Sequence, residues 1–148
     1  MIPWYRIFGG SSEMTACANI LAFLDGRYPS VSGDFAADAS GWYRADLLVD
    51  GVSLQLERYL ADESGIRAEL NSWAAWLETR ANAPEHIRLM ERIIQTAQLF
   101  TLRSTEESAR AESACVELCR FLAATTAGVY QIDERGFFDA EGRLLVAE

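Results

Sequence analysis

The sequence contains no lysine and only one histidine, and all 13 of its basic residues are arginine. Without lysine, the chain cannot form a Schiff base or hold nucleotide phosphates through a P-loop lysine. Two histidine ligands on one metal ion are also excluded within one chain, and a Ser-His-Asp or Cys-His catalytic system would have to use His86. These absences favour a protein without catalytic activity, metal ion or cofactor.

Long apolar runs are absent too: none reaches the roughly 20 residues that span a bilayer, and the N-terminal residues do not resemble a signal peptide. The three cysteines lack the spacing of a disulfide framework, which predicts reduced thiols in a cytoplasmic protein. The net charge of −9 disfavours binding to nucleic acid, because an acidic surface repels phosphates. With 148 residues, half of them hydrophobic, the chain is expected to form a single globular domain over 1–148.

The clearest local pattern is a β-hairpin. Two apolar-rich runs, 42–49 and 52–60, are joined by Asp50-Gly51, a dipeptide that suits a turn in which both central residues have positive φ. Such a turn pairs Val49 with Val52 and fixes every pair farther out. Counting outward places two sets of side chains on opposite faces: Tyr43, Ala45 and Leu47 toward the core, and Trp42, Arg44, Glu57 and Tyr59 away from it.

Periodic apolar residues predict four helices around this hairpin. They cover 12–25, 64–80, a segment that opens at Pro84, and a segment after Ser104. Short strands are predicted at 4–8, 31–37, 98–102, 129–133, 136–139 and 143–146, and the alternative for 97–103 is a continuation of the third helix. Together these elements predict an α+β fold, in which an antiparallel sheet carries about four helices mainly on one face.

An internal duplication is a further hypothesis. Residues 16–24 align with 114–122, and four of these nine positions are identical. The halves 1–60 and 97–148 would then be pseudo-duplicated strand–helix–hairpin units, with a helical insert at 62–96. The alternative is that two buried amphipathic helices in one small protein are alike by chance.

Two other groups of residues favour structural roles. Cys115 and Cys119 share one helical face with leucines, which is typical of core cysteines rather than of metal ligands. The carboxylates between Asp133 and Glu141 surround the C-terminal turns, where acidic residues and glycine are common. The run from Gly136 to Leu144 resembles the turn segment of tyrosine–aspartate hairpin repeats, and this resemblance implies no function.

The outer face of the hairpin supplies the leading functional hypothesis. Tryptophan, tyrosine and arginine are the residues that dominate the binding energy of protein interfaces. The predicted partner-binding residues are Trp42, Arg44, Glu57 and Tyr59, with Trp76 from the second helix. The sequence therefore predicts a small acidic module that binds a protein partner without catalysis, and a self-associating structural domain is one alternative.

A second alternative is a small-molecule or anion-binding protein, or a hydrolase that uses carboxylates. Gly9, Gly10, Ser11 and Ser12 follow a predicted strand and precede a predicted helix, and the amides at a helix N-terminus can bind an anion. The segment matches neither the dinucleotide-binding glycine motif nor a P-loop.

Overall fold

The computed structural model describes residues 1–80 and 83–148, and within them the chain forms eight strands and four helices. In chain order these are β1 (Tyr5–Gly9), α1 (Cys17–Asp25), β2 (Val31–Asp38), β3 (Gly41–Val49), β4 (Val52–Leu60), α2 (Ile66–Glu78), α3 (Pro84–Ile94), β5 (Gln98–Ser104), α4 (Ala109–Thr125), β6 (Val129–Ile132), β7 (Gly136–Phe138) and β8 (Leu144–Ala147). The predicted α+β class is confirmed, with four helices and one antiparallel sheet.

The strands lie in the order β2-β3-β4-β5-β1-β6-β7-β8, and neighbouring strands are antiparallel. The first strand of the chain is therefore central: Tyr5 pairs with Leu102 of β5 on one side and with Ile132 of β6 on the other. Such long-range pairing brings residues from both ends of the chain to the same part of the sheet.

The two faces of the sheet are covered differently. On one face, α1 and α4 pack on alternate strand residues such as Tyr5 and Ile7, while Phe8 on the opposite face packs under α2 and α3. The sequence predicted helices mainly on one face, whereas the structure divides them two and two. The reason is that the central strands are apolar on both sides, and each side has to be buried.

The predicted hairpin register is confirmed from Val49–Val52 out to Arg44–Glu57. Beyond Arg44 the face assignment is wrong, because the register of β3 against β2 shifts: Arg44 pairs with Ala36, but Trp42 pairs with Ala37. This bulge turns Trp42 into the core, where it is 1 % exposed, and leaves Tyr43 46 % exposed. An extra residue in one strand reverses the facing of everything beyond it.

Two helix starts also differ from prediction. The first helix begins at Cys17 rather than at residue 12, after a non-helical segment. The fourth is capped by Ser108, whose hydroxyl accepts a hydrogen bond from the amide of Ala111, whereas Ser104 belongs to β5. Ser104 stays extended because it pairs with Leu54 of β4, and the segment before α1 is held by Gln98, which donates to the carbonyls of Ser11 and Glu13.

The element order is the same in both proposed half-repeats, namely strand, helix and three strands, with α2 and α3 as the insert. Their placement in the sheet differs. The strand that follows α1 lies at the sheet edge, whereas the strand that follows α4 lies beside the central β1. After its helix, the first unit adds strands from the edge toward the centre (β2, β3, β4), whereas the second adds them from the centre toward the edge (β6, β7, β8). No rotation therefore superimposes the strand order of one unit on that of the other.

Candidate functional site

The helices α2 and α3 cover only part of their face of the sheet, over β1 and β5 to β8. The rest of this face carries polar side chains on β3, β4 and the end of β5. We call this surface the open face and define it by Arg44, Asp46, Gln55, Glu57 and Arg103, which lie in register across the three strands. Arg44, Asp46 and Gln55 are exposed and Glu57 and Arg103 are partly exposed, so these side chains are available to a ligand or partner.

Arg103 is the unusual residue of the open face. Its guanidinium lies 4.9 Å from the centre of the Trp4 ring, and across the strands it is paired with Gln55. Its Nε is buried and has no hydrogen-bond partner, and within residues 1–80 and 83–148 the side chain forms no salt bridge. A buried donor without an acceptor costs about 1–3 kcal/mol, so an acceptor brought by a ligand would be favoured there.

A second arginine lies beside this site with its charge already satisfied. The Nη1 atom of Arg6 donates to Gln131 Oε1 at 2.8 Å and to Asp133 Oδ1 at 2.7 Å, and the guanidinium lies 5.1 Å from the Trp73 ring. Partial burial acts to raise the pKa of Asp133, but hydrogen bonds from Arg6, Gln131 and the Trp4 amide outweigh it and hold that pKa below its ordinary value. Asp133 is therefore a carboxylate that holds Arg6 in place.

Tyr59 forms the border between the open face and the part under α2. Its hydroxyl donates to Glu57 Oε2 at 2.5 Å. Partial burial, with a further contribution from this hydrogen bond, raises the pKa of Tyr59 to about 12. The phenol therefore stays neutral near pH 7 and fixes the orientation of the Glu57 carboxylate.

The predicted partner-binding residues do not all meet. Arg44, Glu57 and Tyr59 lie together, as the hairpin register required. Trp42 does not join them, because the bulge places it in the opposite core, where its Nε1 donates to the carbonyl of Thr15 at 2.8 Å. Trp76 lies on the covered part of the face, with its ring 6.0 Å from that of Phe137. A partner at the open face would thus meet three of the five predicted residues.

Two residues of this surface, Trp4 and Arg103, were missed by the sequence prediction. The predicted strand at 98–102 stopped one residue short of Arg103, although the strand extends to Ser104. Alternation along this strand would have placed Leu99 and Arg103 opposite to Phe100. The stacking of Trp4 on Arg103 had no sequence signal, because it follows from the pairing of β1 with β5.

The turn at Gly9, Gly10, Ser11 and Ser12 does not form the predicted helix-terminal anion site. Residues 13–16 separate it from the first turn of α1, so the amides of the turn lie outside the helix. The amide of Ser11 donates to the carbonyl of Thr126, and the carbonyl of Ser11 accepts from Gln98. The segment instead fastens the chain to the end of α4 and to the core.

The cysteines lie in the core, as the helical stripe predicted: Cys115 and Cys119 are buried, and Cys17 is partly buried. Burial, with a smaller contribution from the charge of Glu112, raises the pKa of the Cys115 thiol to about 12. Burial also raises the pKa of the Cys119 thiol, and it raises the pKa of Cys17, which is only partly buried. Among the described residues, no group of three or more histidine, cysteine or acidic side chains is placed to hold a metal ion.

Alkylation tests this placement. Because a raised pKa lowers the thiolate fraction, iodoacetamide at pH 8 is expected to modify Cys17 first and to leave Cys115 and Cys119 unmodified in the folded protein. In urea all three should react. Peptide mass spectrometry after timed quenching gives the rates, and equal rates for Cys115 and Cys17 without urea would contradict the burial.

The C-terminal turn assignment also agrees with the structure. The carboxylate of Asp139 accepts hydrogen bonds from the amides of Glu141 and Arg143, and thereby closes the turn between β7 and β8.

Over the described ranges, no helix has the length and apolar character that crossing a membrane requires.

The function has to be argued from the geometry of these residues. Comparison with protein-family models, with curated proteins and with solved structures gives no match to this chain.

Proposed function

We propose that the protein is a binding module without catalytic activity, and that it recognises a protein partner through the open face and the adjoining Trp4. The observation that carries this proposal is the Arg103 side chain, which lies over an indole and whose buried Nε has no acceptor in residues 1–80 and 83–148. The rings of Trp4 and Tyr59 and the arginines Arg44 and Arg103 belong to the residue types that dominate interface energies.

The chemistry of Arg103 indicates what the partner offers at this point. The guanidinium lies over the Trp4 ring, and the donors on its two Nη atoms can make two parallel hydrogen bonds, which suits a carboxylate or a pair of backbone carbonyls. Stacking also reduces the number of conformations that the side chain loses on binding. An acceptor from a partner would then add hydrogen bonds at a low cost in entropy.

The charge of the whole chain indicates the character of the partner. With a net charge of −9, the protein attracts basic molecules over long range and repels acidic ones. We therefore expect a partner that is basic overall and presents an acceptor to Arg103. Attraction of this kind accelerates association and weakens as salt is added.

The carboxylates near the site favour binding over hydrolysis. Asp133 is engaged by Arg6, and Glu57 is engaged by the Tyr59 hydroxyl. A general acid needs a carboxyl group with a raised pKa, whereas the pKa of Asp133 is lowered. These groups hold neighbouring side chains in position, which is what a rigid recognition surface requires.

The proposal is tested by affinity capture from cells of the natural source, followed by measurement of Kd for any stoichiometric partner. We expect Arg103→Ala and Trp4→Ala each to weaken binding by about 30-fold, since hot-spot residues contribute about 2 kcal/mol or more. The matched control is Arg88→Ala, an exposed arginine on α3. A partner that binds all three variants with the same Kd as the unchanged protein would refute the proposed surface.

A further inference from the structure

A cavity of about 440 Å³ lies at the end of the sheet where β1 begins and β5 ends, next to the first turn of α4. Its lining residues supply five carboxylate side chains and two cationic groups, which are one guanidinium and the amino group of Met1. The carboxylates are Glu106, Glu107, Glu112, Asp133 and Glu134. The guanidinium of Arg135 pairs with Glu112, and the amino group of Met1 pairs with Glu107 at 2.9 Å. Since acidic groups outnumber basic ones so strongly, the cavity favours a cationic occupant over an anionic one.

Tyr5 adds an observation independent of these charges. It is only 2 % exposed and packs in the core, yet it also lines the cavity. Its hydroxyl makes no hydrogen bond to any residue in the described part of the chain. Burial, followed by the nearby Cys115, Cys119 and Glu112, raises the pKa of this phenol. The hydroxyl therefore stays neutral, and its oxygen can accept a hydrogen bond from a cation.

Other polar groups at the cavity are already committed to the fold. The hydroxyl of Ser104 donates to the carbonyl of Glu106, and the hydroxyl of Ser108 caps α4. The positive end of the α4 dipole does lie here, but the lining carboxylates outweigh its partial charge of about +0.5. Glu107, Glu112 and Asp133 are already in ion pairs, so the phenol of Tyr5 and the carboxylates of Glu106 and Glu134 are the groups left to receive hydrogen bonds from a ligand.

We infer that this cavity receives a cationic side chain, an arginine guanidinium, from the protein partner. A guanidinium has five donors in one plane, so it can bond to the Tyr5 oxygen and to more than one carboxylate at once. Because side chains alternate along β1 and β5, Trp4 and Arg103 lie on the side of the sheet that carries the open face, whereas Tyr5 and Ser104 lie on the side of the cavity. All four residues are at the same end of these two strands. One partner can therefore contact both places.

This inference rests on the proposed function, since it identifies a group that the partner contributes. It also agrees with the charge argument, because a basic partner carries many arginine or lysine side chains. The cavity would supply a second anchor, distinct from Arg103 in both location and charge.

The test uses a small probe, Nα-acetyl-arginine amide, and its isosteric neutral analogue Nα-acetyl-citrulline amide. Titration at low salt is followed through the backbone NMR signals of Ser108 and Glu112. We expect saturable shifts with the arginine probe, with Kd in the millimolar range, and none with the citrulline probe. We expect Glu106→Gln and Tyr5→Phe each to weaken binding several-fold, whereas Glu78→Gln, an exposed carboxylate on α2, leaves it unchanged.

The possible outcomes separate the two proposals. Equal binding of the citrulline probe, or no saturable shift with the arginine probe, overturns the cavity inference whatever happens at Arg103. Partner capture that depends on Arg103 while the probe fails leaves the proposed function intact. A third outcome is that probe binding depends on Tyr5 and Glu106, while the Kd of the partner is unchanged by substitution of Arg103 or Trp4. That outcome supports the cavity inference and refutes the open face as the partner-binding surface.

Discussion

Replacing Trp42 with alanine is expected to lower the free energy of unfolding by about 3–5 kcal/mol, the usual cost of removing a large aromatic side chain from a core. The ring of Trp42 is 1 % exposed, and its centre lies 5.8 Å from that of Phe35 and 6.0 Å from that of Phe100. The substitution also removes the hydrogen bond from Nε1 to the carbonyl of Thr15. Urea denaturation followed by circular dichroism measures the change.

The matched control is Tyr43→Ala, since Tyr43 is adjacent and largely exposed. Removing it should change the free energy of unfolding by no more than about 0.5 kcal/mol, as for most surface substitutions. A larger loss for Tyr43→Ala than for Trp42→Ala would mean that β3 continues without the bulge. The pair of variants therefore tests the facing of the strand directly.

Replacing Arg58 with methionine is expected to cost about 2–4 kcal/mol of unfolding free energy, because it removes the donor for several buried acceptors. Arg58 is a buried arginine on the core face: its Nε donates to Gln98 Oε1 at 2.8 Å, and its Nη1 donates to the carbonyls of Ser40 and Trp42. Burial lowers the pKa of Arg58, and the charges of Glu63 and Asp38 act against this shift. The side chain remains charged at neutral pH, since an arginine pKa lies far above 7.

The consequences of this substitution should extend along the network. Gln98 also donates to the carbonyls of Ser11 and Glu13, so it anchors the non-helical segment before α1. We expect faster amide hydrogen exchange around this segment in Arg58→Met than in Arg88→Met, an exposed control on α3. Unchanged stability in Arg58→Met would mean that relief of desolvation balances the lost hydrogen bonds, and the network would not contribute net stability.

Features that depend on residues close together in the chain could be predicted from the sequence. The turn at Asp50-Gly51 was predicted correctly because both residues have positive φ, at 49° and 82°, which their side chains tolerate. The buried stripe of α4, including Cys115 and Leu118, was correct for a similar reason: helical periodicity is a property of neighbouring residues.

Errors arose where distant segments compete with local preference. Residue spacing in the segment after Pro84 predicts an apolar stripe of Ile87, Met90 and Ile94. In the structure Ile87 and Ile94 are exposed, and Leu89 and Ile93 are buried instead. A helix with apolar residues on several sides can present either set to the sheet, and the shape of the adjoining surface selects one. The bulge at Trp42 is a comparable case, because its position depends on the pairing of β3 with β2.

The candidate site divides in the same way. Arg44, Glu57 and Tyr59 could be grouped from sequence, because a two-residue turn sets the register of one hairpin. Trp4 and Arg103 could not, since they are about a hundred residues apart and meet only because β1 is inserted between β5 and β6. The cavity at Tyr5 combines the start of β1, the end of β5 and the start of α4, and it has no counterpart in any local pattern.

By itself, the sequence determined the approximate positions of the helices and strands, the α+β class and the absence of lysine, since turns, periodicity and composition are local properties of the chain. Only the tertiary structure decided which strands are neighbours, which face of the sheet stays open, that Trp42 is buried, and that the Nε of Arg103 has no acceptor among the described residues. Strand order and side-chain burial depend on packing over the whole molecule, because the way in which one apolar surface is buried limits how the others can be buried.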